Sequence, residues 1–493
     1  MPDGWQSRAM CCEGTEALGL PAEVIEALSR YRRLLDQREW DWGDDQVEYF
    51  RWERFSQLGP VLEAFAATGD WPSAVRSVID HDVPAGVVVV RVDAGGGLRA
   101  EVGPARTTIP GRTVPAESLR VACARGIEFE RAELDVRPAA GETRTVECDP
   151  RRLFDPAADG WYGGDLHVHM NYSGDLICTP GDAARMQLGE GLHLANLVAA
   201  NCLTSLVYDR DMLERFAGAD LPWSTDDMVA RMGVEYRNDL FGHVHALGPS
   251  EPPARYYTGH ERSDHPRDWP PNKVACEELR GLGATVGYCF SHLGTASNPP
   301  GWGRVYARLG DQALSVPAFK DAIRAGRTVV TNGPWLVLEV NGQGPGAVLD
   351  LAVGGRLDLR ACVRGPGAER LTLVGPDGVM AEGDAASELR LETTLRDGPT
   401  WIPAVARGAG HPGTLDRSVL AHTSPVYVDV AGQRVARVAD ARWCLELLDT
   451  LERFAVQHGH FDPATRAADL GDLVAVLEAA RSFYRRVAEA APR

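Results

Sequence analysis

The chain has 493 residues, 44% apolar and 24% charged, an ordinary globular composition with room for two to four domains of roughly 100–200 residues. Its formal charge is −18, from 51 Lys plus Arg against 69 Asp plus Glu, and so acidic a surface repels phosphate backbones and excludes nucleic acid as an expected partner. No apolar run approaches the ~20 residues that cross a bilayer, and the opening Met1-Pro-Asp-Gly-Trp-Gln lacks the basic stretch and apolar core of a secretory signal; the expectation is a cytoplasmic protein with no membrane partner. The ten cysteines contain no Cys-x-x-Cys pair, which argues against a cysteine zinc site or a disulfide framework.

In chain order, residues 1–72 read as helical, with apolar residues at helical spacing through Pro21-Ala-Glu-Val-Ile-Glu-Ala-Leu and again from Phe50 to Phe65. Over 73–155 the character changes: Val87-Val-Val-Val-Arg-Val, Gly95-Gly-Gly and further Val- and Thr-rich runs predict a small β-sandwich. Residues 156–333 alternate. Asp165 to Met170 reads as a strand, and Thr179-Pro-Gly-Asp182 starts a helix with a cap, a first-turn proline and an acid on the dipole. Leu194 to Ala200, Gly233-Val-Glu-Tyr and Gly242-His-Val-His-Ala-Leu read as strands. A helix from Lys273 to Leu282 leads into a strand from Ala284 to Phe290, and one from Val316 to Ala325 leads into Arg327-Thr-Val-Val-Thr. Such alternation predicts a largely parallel α/β sheet or barrel. Residues 334–432 return to strands with turns such as Gly375-Pro-Asp-Gly, a second β-sandwich. Residues 433–493 read as helical, with Trp443, Leu445, Leu447, Leu448 and Leu451 as one apolar cluster and Leu473, Val474 and Leu477 as another.

The chemistry concentrates in 156–333. Alternate residues of a strand share a face, so Asp165, His167 and His169 project together, and the two imidazoles can share one metal or hold two adjacent ones. Asp165 is placed to orient an imidazole through its N–H. A second pair, His243-Val-His245, follows Glu235 by eight residues, and two His-x-His strands with a carboxylate suit Zn²⁺ first, or Mn²⁺ or Fe²⁺, with Glu235 as a bridge. Such a centre makes a nucleophile from water near neutral pH, with Asp165 and Glu235 as candidate catalytic carboxylates. Asp175, past the Asn171-Tyr-Ser-Gly turn, and His292, past a strand, are further candidate ligands, and Asn201 is a candidate substrate contact. His193, His260 and His265 read as surface or structural. A Gly-x-Ser-x-Gly elbow, a phosphate-binding Gly-x-x-x-x-Gly-Lys loop and a dinucleotide fingerprint are all absent.

Three stretches carry a family resemblance: Gly160-Trp-Tyr-Gly-Gly-Asp-Leu-His-Val-His-Met-Asn-Tyr, Gly233-Val-Glu-Tyr-Arg-Asn-Asp-Leu-Phe-Gly-His-Val-His-Ala-Leu-Gly, and Ala325-Gly-Arg-Thr-Val-Val-Thr-Asn-Gly-Pro. They resemble the PHP (polymerase and histidinol phosphatase) metallohydrolase superfamily, in its CehA/McbA branch. The resemblance covers most of residues 85–430, flanking β regions included, and implies a distorted seven-stranded β/α barrel with two or three metals; the expected chain is such a barrel flanked by two β-sandwiches and helical termini, holding one to three divalent ions. It implies His167, His169, Glu235 and His243 as ligands, joined by Asp175 and His245, and hydrolysis of a small-molecule phosphoester, ester, carbamate or amide. The sequence departs from the family between Tyr288 and Asn298, where about ten residues stand in place of a longer stretch and Gly294-Thr295 is followed by Ala296, not aspartate. With about 170 residues against the ~250 of a closed eight-unit barrel, the α/β segment predicts a shortened barrel and an altered or incomplete metal centre. Two functions stay open: a metallohydrolase, or a catalytically impaired relative serving as a binding scaffold. The oligomeric state is open too.

Overall fold

The computed structural model describes residues 97–491 except 103–106, 109–111, 114–117, 124, 138, 140–142, 149, 170–179, 201, 204–205, 208–209, 239, 260–262, 264, 288–291, 294–299, 396–397 and 413–417. The helical reading of 1–72, the strand at Val87 and the positions Asp175, Asn201 and His260 lie outside the described residues.

The architecture is mixed α/β, dominated by one large sheet. Its strands are β1 (Trp161–His169), β2 (Leu194–Ala199), β3 (Val229–Asn238), β4 (Val244–Leu247), β5 (Thr285–Gly287), β6 (Arg304–Arg308), β7 (Thr328–Thr331), β8 (Arg370–Gly375), β9 (Gly378–Asp384), β10 (Ala404–Ala409) and β11 (Ser418–Thr423). They lie in the order β5-β4-β3-β2-β1-β6-β7-β11-β10-β8-β9. The helices are α1 (Pro180–Gly189), α2 (Arg210–Phe216), α3 (Asn272–Gly281), α4 (Val316–Arg324), α5 (Val438–His458) and α6 (Arg466–Ala490). No described helix is long and apolar enough to cross a membrane.

The predicted elements of 156–333 form where their residues are described, the strand expected from Ala284 to Phe290 being seen at Thr285–Gly287, but the sheet is not largely parallel. Among the described strands of this sheet, only β1, β2 and β3, with the two-residue strands Tyr257–Thr258 and His292–Leu293, pair in parallel. The short connection from β3 to β4 leaves no room for a crossover helix and folds back as an antiparallel pair, and β6 returns antiparallel along β1. The described strands form no closed barrel.

Alternation along β1 to β4 separates two faces. Val168, Leu197, Val234, Val244 and Ala246 point outward into a core with Ala183 of α1, Leu213 of α2 and Leu279 of α3. Leu194, Val229 and Leu247 meet Phe319 of α4 at the other end of the strands. The opposite face carries Asp165, His167, His169, Asn196, Glu235, Arg237 and His245, every one buried. These strands are therefore amphipathic, yet hidden from water on both sides.

The polar face is strongly concave. Three strand spacings of ~4.8 Å would put β4 about 14 Å from β1 in a flat sheet. Instead the rings of His167 on β1 and His245 on β4 have centroids 3.5 Å apart. Two local features bend the sheet. The β1–β2 register shifts between Asp165 and Val168, and such irregularities sharpen the local twist. The Asn196 side-chain amide donates to the Leu166 carbonyl at 2.9 Å and the Ala246 carbonyl at 3.3 Å, tying β1 to β4 across the hollow. Gly233 makes this possible: a Cβ there would lie 2.4 Å from the Asn196 amide and 2.5 Å from the Ala246 oxygen.

Past β7 the sheet continues into residues 334–432. The strands Trp335–Val340, Arg356–Arg364 and Leu389–Thr394 form a second sheet, and Val348–Leu351, Val426–Val430 and Thr400–Ile402 a third. Their apolar faces share one core with Trp161 and Tyr306. Trp335 stacks edge-on against both, with centroids 5.3 and 5.0 Å away, so this region is packed directly on the strands of the site. The C-terminal helices form an antiparallel hairpin. Ala455, Phe461, Leu473 and Leu477 pack with Leu240, Phe241 and Trp269, whereas Trp443 and Leu447, expected in an apolar cluster, are exposed.

Gly233→Ala should lower stability by about 1–3 kcal/mol, because its neighbours are backbone and a tied amide that cannot retreat. Thermal unfolding of the purified variant measures this; an unchanged melting temperature would show that the hollow tolerates a methyl group.

Candidate metal centre

Strand register explains why the site residues meet. Glu235 of β3 lies directly opposite His245 of β4, so their side chains share a face. His167 and His169 share the same concave side from β1, and curvature brings them over the carboxylate. The distances are 2.8 Å between His167 Nε2 and His169 Nε2, 3.4 Å from His167 Nε2 to Glu235 Oε1, and 3.2 Å from His169 Nε2 to Glu235 Oε2. His243 Nδ1 stands 2.9 Å and His245 Nε2 3.4 Å from Glu235 Oε1. Four imidazoles thus surround one carboxylate. His167, His169, His245 and Glu235 are buried, while the His243 side chain is 38% exposed and marks the open side.

The donor set fits a cation. One ligand atom each from His167, His169 and Glu235 lies within 4.8 Å of the others. Two ligands ~2.1 Å from one tetrahedral ion stand about 3.4 Å apart, close to the 3.4 and 3.2 Å between the Glu235 oxygens and the two imidazoles and wider than the 2.8 Å between the imidazole nitrogens, which would spread around an ion. Neutral nitrogens with a carboxylate suit a divalent ion of intermediate softness, without selecting among Zn²⁺, Mn²⁺ and Fe²⁺.

Burial by itself would raise the Glu235 pKa. Hydrogen bonds with His167, His169, His243 and His245 outweigh it and hold the carboxyl well below the usual range, so Glu235 is ionised. Burial pushes His169 and His245 down, against the opposing pull of Glu235, which favours the neutral imidazoles a metal needs.

Asp165 lies one step deeper. It accepts the His167 backbone N–H at 3.1 Å and the Gly301 N–H at 2.8 Å, so it fastens the segment before β6 to the histidine strand. Arg304 braces that segment, donating from Nε to the Gly301 carbonyl at 2.6 Å and from a terminal nitrogen to the Glu190 carbonyl at 3.1 Å. The two-residue strand at His292 runs beside the end of β1, with His292 level with Val168 and Leu293 level with His169. His193 accepts the Gly163 N–H at 3.1 Å and His265 belongs to a turn at Gly259, both structural as expected.

Sequence reasoning missed two residues here. Arg237 forms an ion pair with Glu235 and donates from Nε to the Ala200 carbonyl at 2.8 Å, where Ala200 itself has a φ of 74°. Its position two residues after Glu235 was a usable signal, since both occupy the same strand face. Asn196, the tie across the hollow, is an isolated polar residue in the apolar run Leu194-Ala-Asn-Leu-Val-Ala, and a polar residue in a buried strand points to a specific partner. No family model, curated protein or solved structure matches this chain.

Replacing His167 and His169 together by alanine should cost at least about 100-fold in metal affinity, more than His243→Ala, which sits at the rim. Equilibrium titration with Zn²⁺ and Mn²⁺ makes the comparison. The metal-free chain should also lose stability as the pH falls. Unfolded His169 and His245 take protons near pH ~6.5, the folded ones only lower, so the unfolded state binds more protons below that value. Glu235 is depressed too, so its contribution holds above ~4.3 and is lost only beneath it. Melting temperature followed from pH 7 to 5 should therefore decline, and His245→Asn should flatten the decline.

Proposed function

We propose that the chain is a metal-dependent hydrolase of the PHP type, acting on an ester, carbamate, amide or phosphoester of a small molecule. The observation that carries this reading is the convergence of His167, His169, His243 and His245 on the buried Glu235. The motif resemblance supports it, because five of the six residues it names as ligands, His167, His169, Glu235, His243 and His245, gather in the hollow. On this reading β1 to β5 are the remnant of a distorted barrel, and the sheets of residues 334–432 are one flanking sandwich.

His167, His169 and Glu235 would hold the metal, which supplies Lewis acidity and a nucleophile from water near neutral pH. The chain's own groups do the rest. Arg237 holds one Glu235 oxygen in place, and Asp165 fixes the backbone that aims His167. His243 has its Nδ1 engaged by Glu235, which leaves Nε2 on the open side to pass a proton to or from a substrate. The walls exclude water from three of the four imidazoles and strengthen every charge interaction inside.

A second reading, a catalytically impaired scaffold, draws on the short stretch between Tyr288 and Asn298, whose described residues His292–Leu293 pair with β1 over two residues. Turnover separates the two. Purified protein with Zn²⁺ or Mn²⁺ should hydrolyse a nitrophenyl ester, carbamate or phosphate, lose that activity to a chelator, and lose it in the His167→Ala/His169→Ala variant. His243→Ala should keep the metal and lower kcat by about 10²-fold. Bound metal without turnover on any of the three substrate types would favour the scaffold.

A further inference from the structure

The C-terminal hairpin presents an apolar face to solvent. Trp443, Leu447 and Phe454 of α5 and Phe483 of α6 are 63, 52, 46 and 53% exposed; among the described residues, Leu420 is the only other Trp, Phe or Leu that open. These positions follow a pattern. Trp443, Leu447, Thr450 and Phe454 are spaced four, three and four residues apart, the spacing of a coiled-coil seam, and Val476, Ala480, Phe483 and Val487 repeat it on α6. The residues just after the seam positions turn inward: Leu451 and Leu477 join the hairpin core, and the Cys444 and Tyr484 side chains are hydrogen-bonded to each other. Both seams therefore open on the same side. The Cys444–Tyr484 contact, with Arg481 bonded to Asp449 and Glu452, sets Leu447 level with Phe483 and Thr450 level with Ala480.

The rims of this face are charged in a self-complementary way. Arg442, Glu446 and Arg453 precede seam positions on α5, Arg486 precedes one on α6, and Asp472 lies one turn before Val476; all five are exposed, and among the described residues none is in an ion pair. Glu446 and Arg486 lie toward one end of the hairpin, Arg453 and Asp472 toward the other, about the Thr450–Ala480 level. A two-fold axis in the face and along the helices sets Glu446 against Arg486 of a second copy and Arg453 against Asp472. An axis across the helices sets Glu446 against Arg453 and Asp472 against Arg486. The first operation also brings Arg442 beside Arg486 of the second copy, a like-charge contact, whereas the second pairs acid with base on both rims without one. This reversal about a common centre is the signature of an isologous contact, where one patch meets itself.

We propose that the chain self-associates through this face as a two-fold dimer, the two hairpins closing into a four-helix bundle. The helices of 21 and 25 residues give a face about 30 Å long and roughly 20 Å wide, of the order of the ~800 Å² per partner that stable complexes bury.

Sedimentation equilibrium of the full chain should return twice the mass of one chain in the micromolar range. Trp443→Glu with Phe483→Glu should return the mass of one chain while circular dichroism stays unchanged, since both positions are open in the single copy. Glu446→Arg alone should raise the dimer dissociation constant about tenfold, and reversing four of the rim charges (E446R, R453E, D472R, R486D) should restore it. A wild-type chain that sediments as one copy throughout that range, a dimer that survives W443E/F483E, or an E446R defect that the fourfold reversal leaves in place would each overturn the proposal.

Discussion

Taking a carboxylate out of water costs several kcal/mol even after the surroundings relax. Glu235 is 4% exposed, so the hollow of the sheet is tenable only because the charge is compensated on the spot. The compensation comes from Arg237 and four imidazoles, and hydrogen bonds to a charged group contribute about 1.5–3 kcal/mol each. The same arrangement fixes the order of the site: remove the carboxylate and the imidazoles lose the group that gathers them; remove the imidazoles and the buried charge is stranded. His167, His169 and Glu235 could hold a metal ion because their donor atoms are already buried and gathered within 4.8 Å of one another.

That cluster requires the sheet to roll, and the roll rests on small features. Gly233 leaves room for the Asn196 amide, Asn196 draws the backbones of β1 and β4 together, and the register shift in β1 opens the carbonyl that Asn196 takes. Behind the histidine strand, Asp165, Gly301 and Arg304 form a second set of ties that presses the chain before β6 against β1. Trp335 then packs on Trp161 and Tyr306, so the strand-rich region after residue 334 supports the site from below rather than merely following it in sequence.

The hairpin is joined to the same body at both ends. Arg437, just before α5, donates to the Pro376 carbonyl at 2.5 Å. The turn between the helices docks near β3 and β4, where the His460 N–H meets Asp268 at 2.7 Å and Phe461 packs with Phe241 and Trp269. A dimer formed through the free face of the hairpin would hold its two histidine–carboxylate clusters at a fixed separation, because each hairpin is fastened beside the strands that carry Glu235 and His245.

The sequence by itself determined the elements and the donors. Alternation along Asp165 to His169 and the spacing of Glu235, His243 and His245 are local properties, and strand geometry turns them directly into shared faces. It also carried the positions of α3 and α4 and the departure around Gly294-Thr295-Ala296. Tertiary structure alone decided the rest. Whether β1 and β4 touch depends on curvature set by Asn196 and Gly233, which are far apart in sequence and unremarked by any periodicity. The antiparallel return of β4 and β6 depends on which strand edges were left free once β1, β2 and β3 had paired. Trp443 and Leu447 carry the pattern of a core stripe, yet they face water, because periodicity specifies that a helix has an apolar face and only the packed chain specifies what, if anything, stands opposite it.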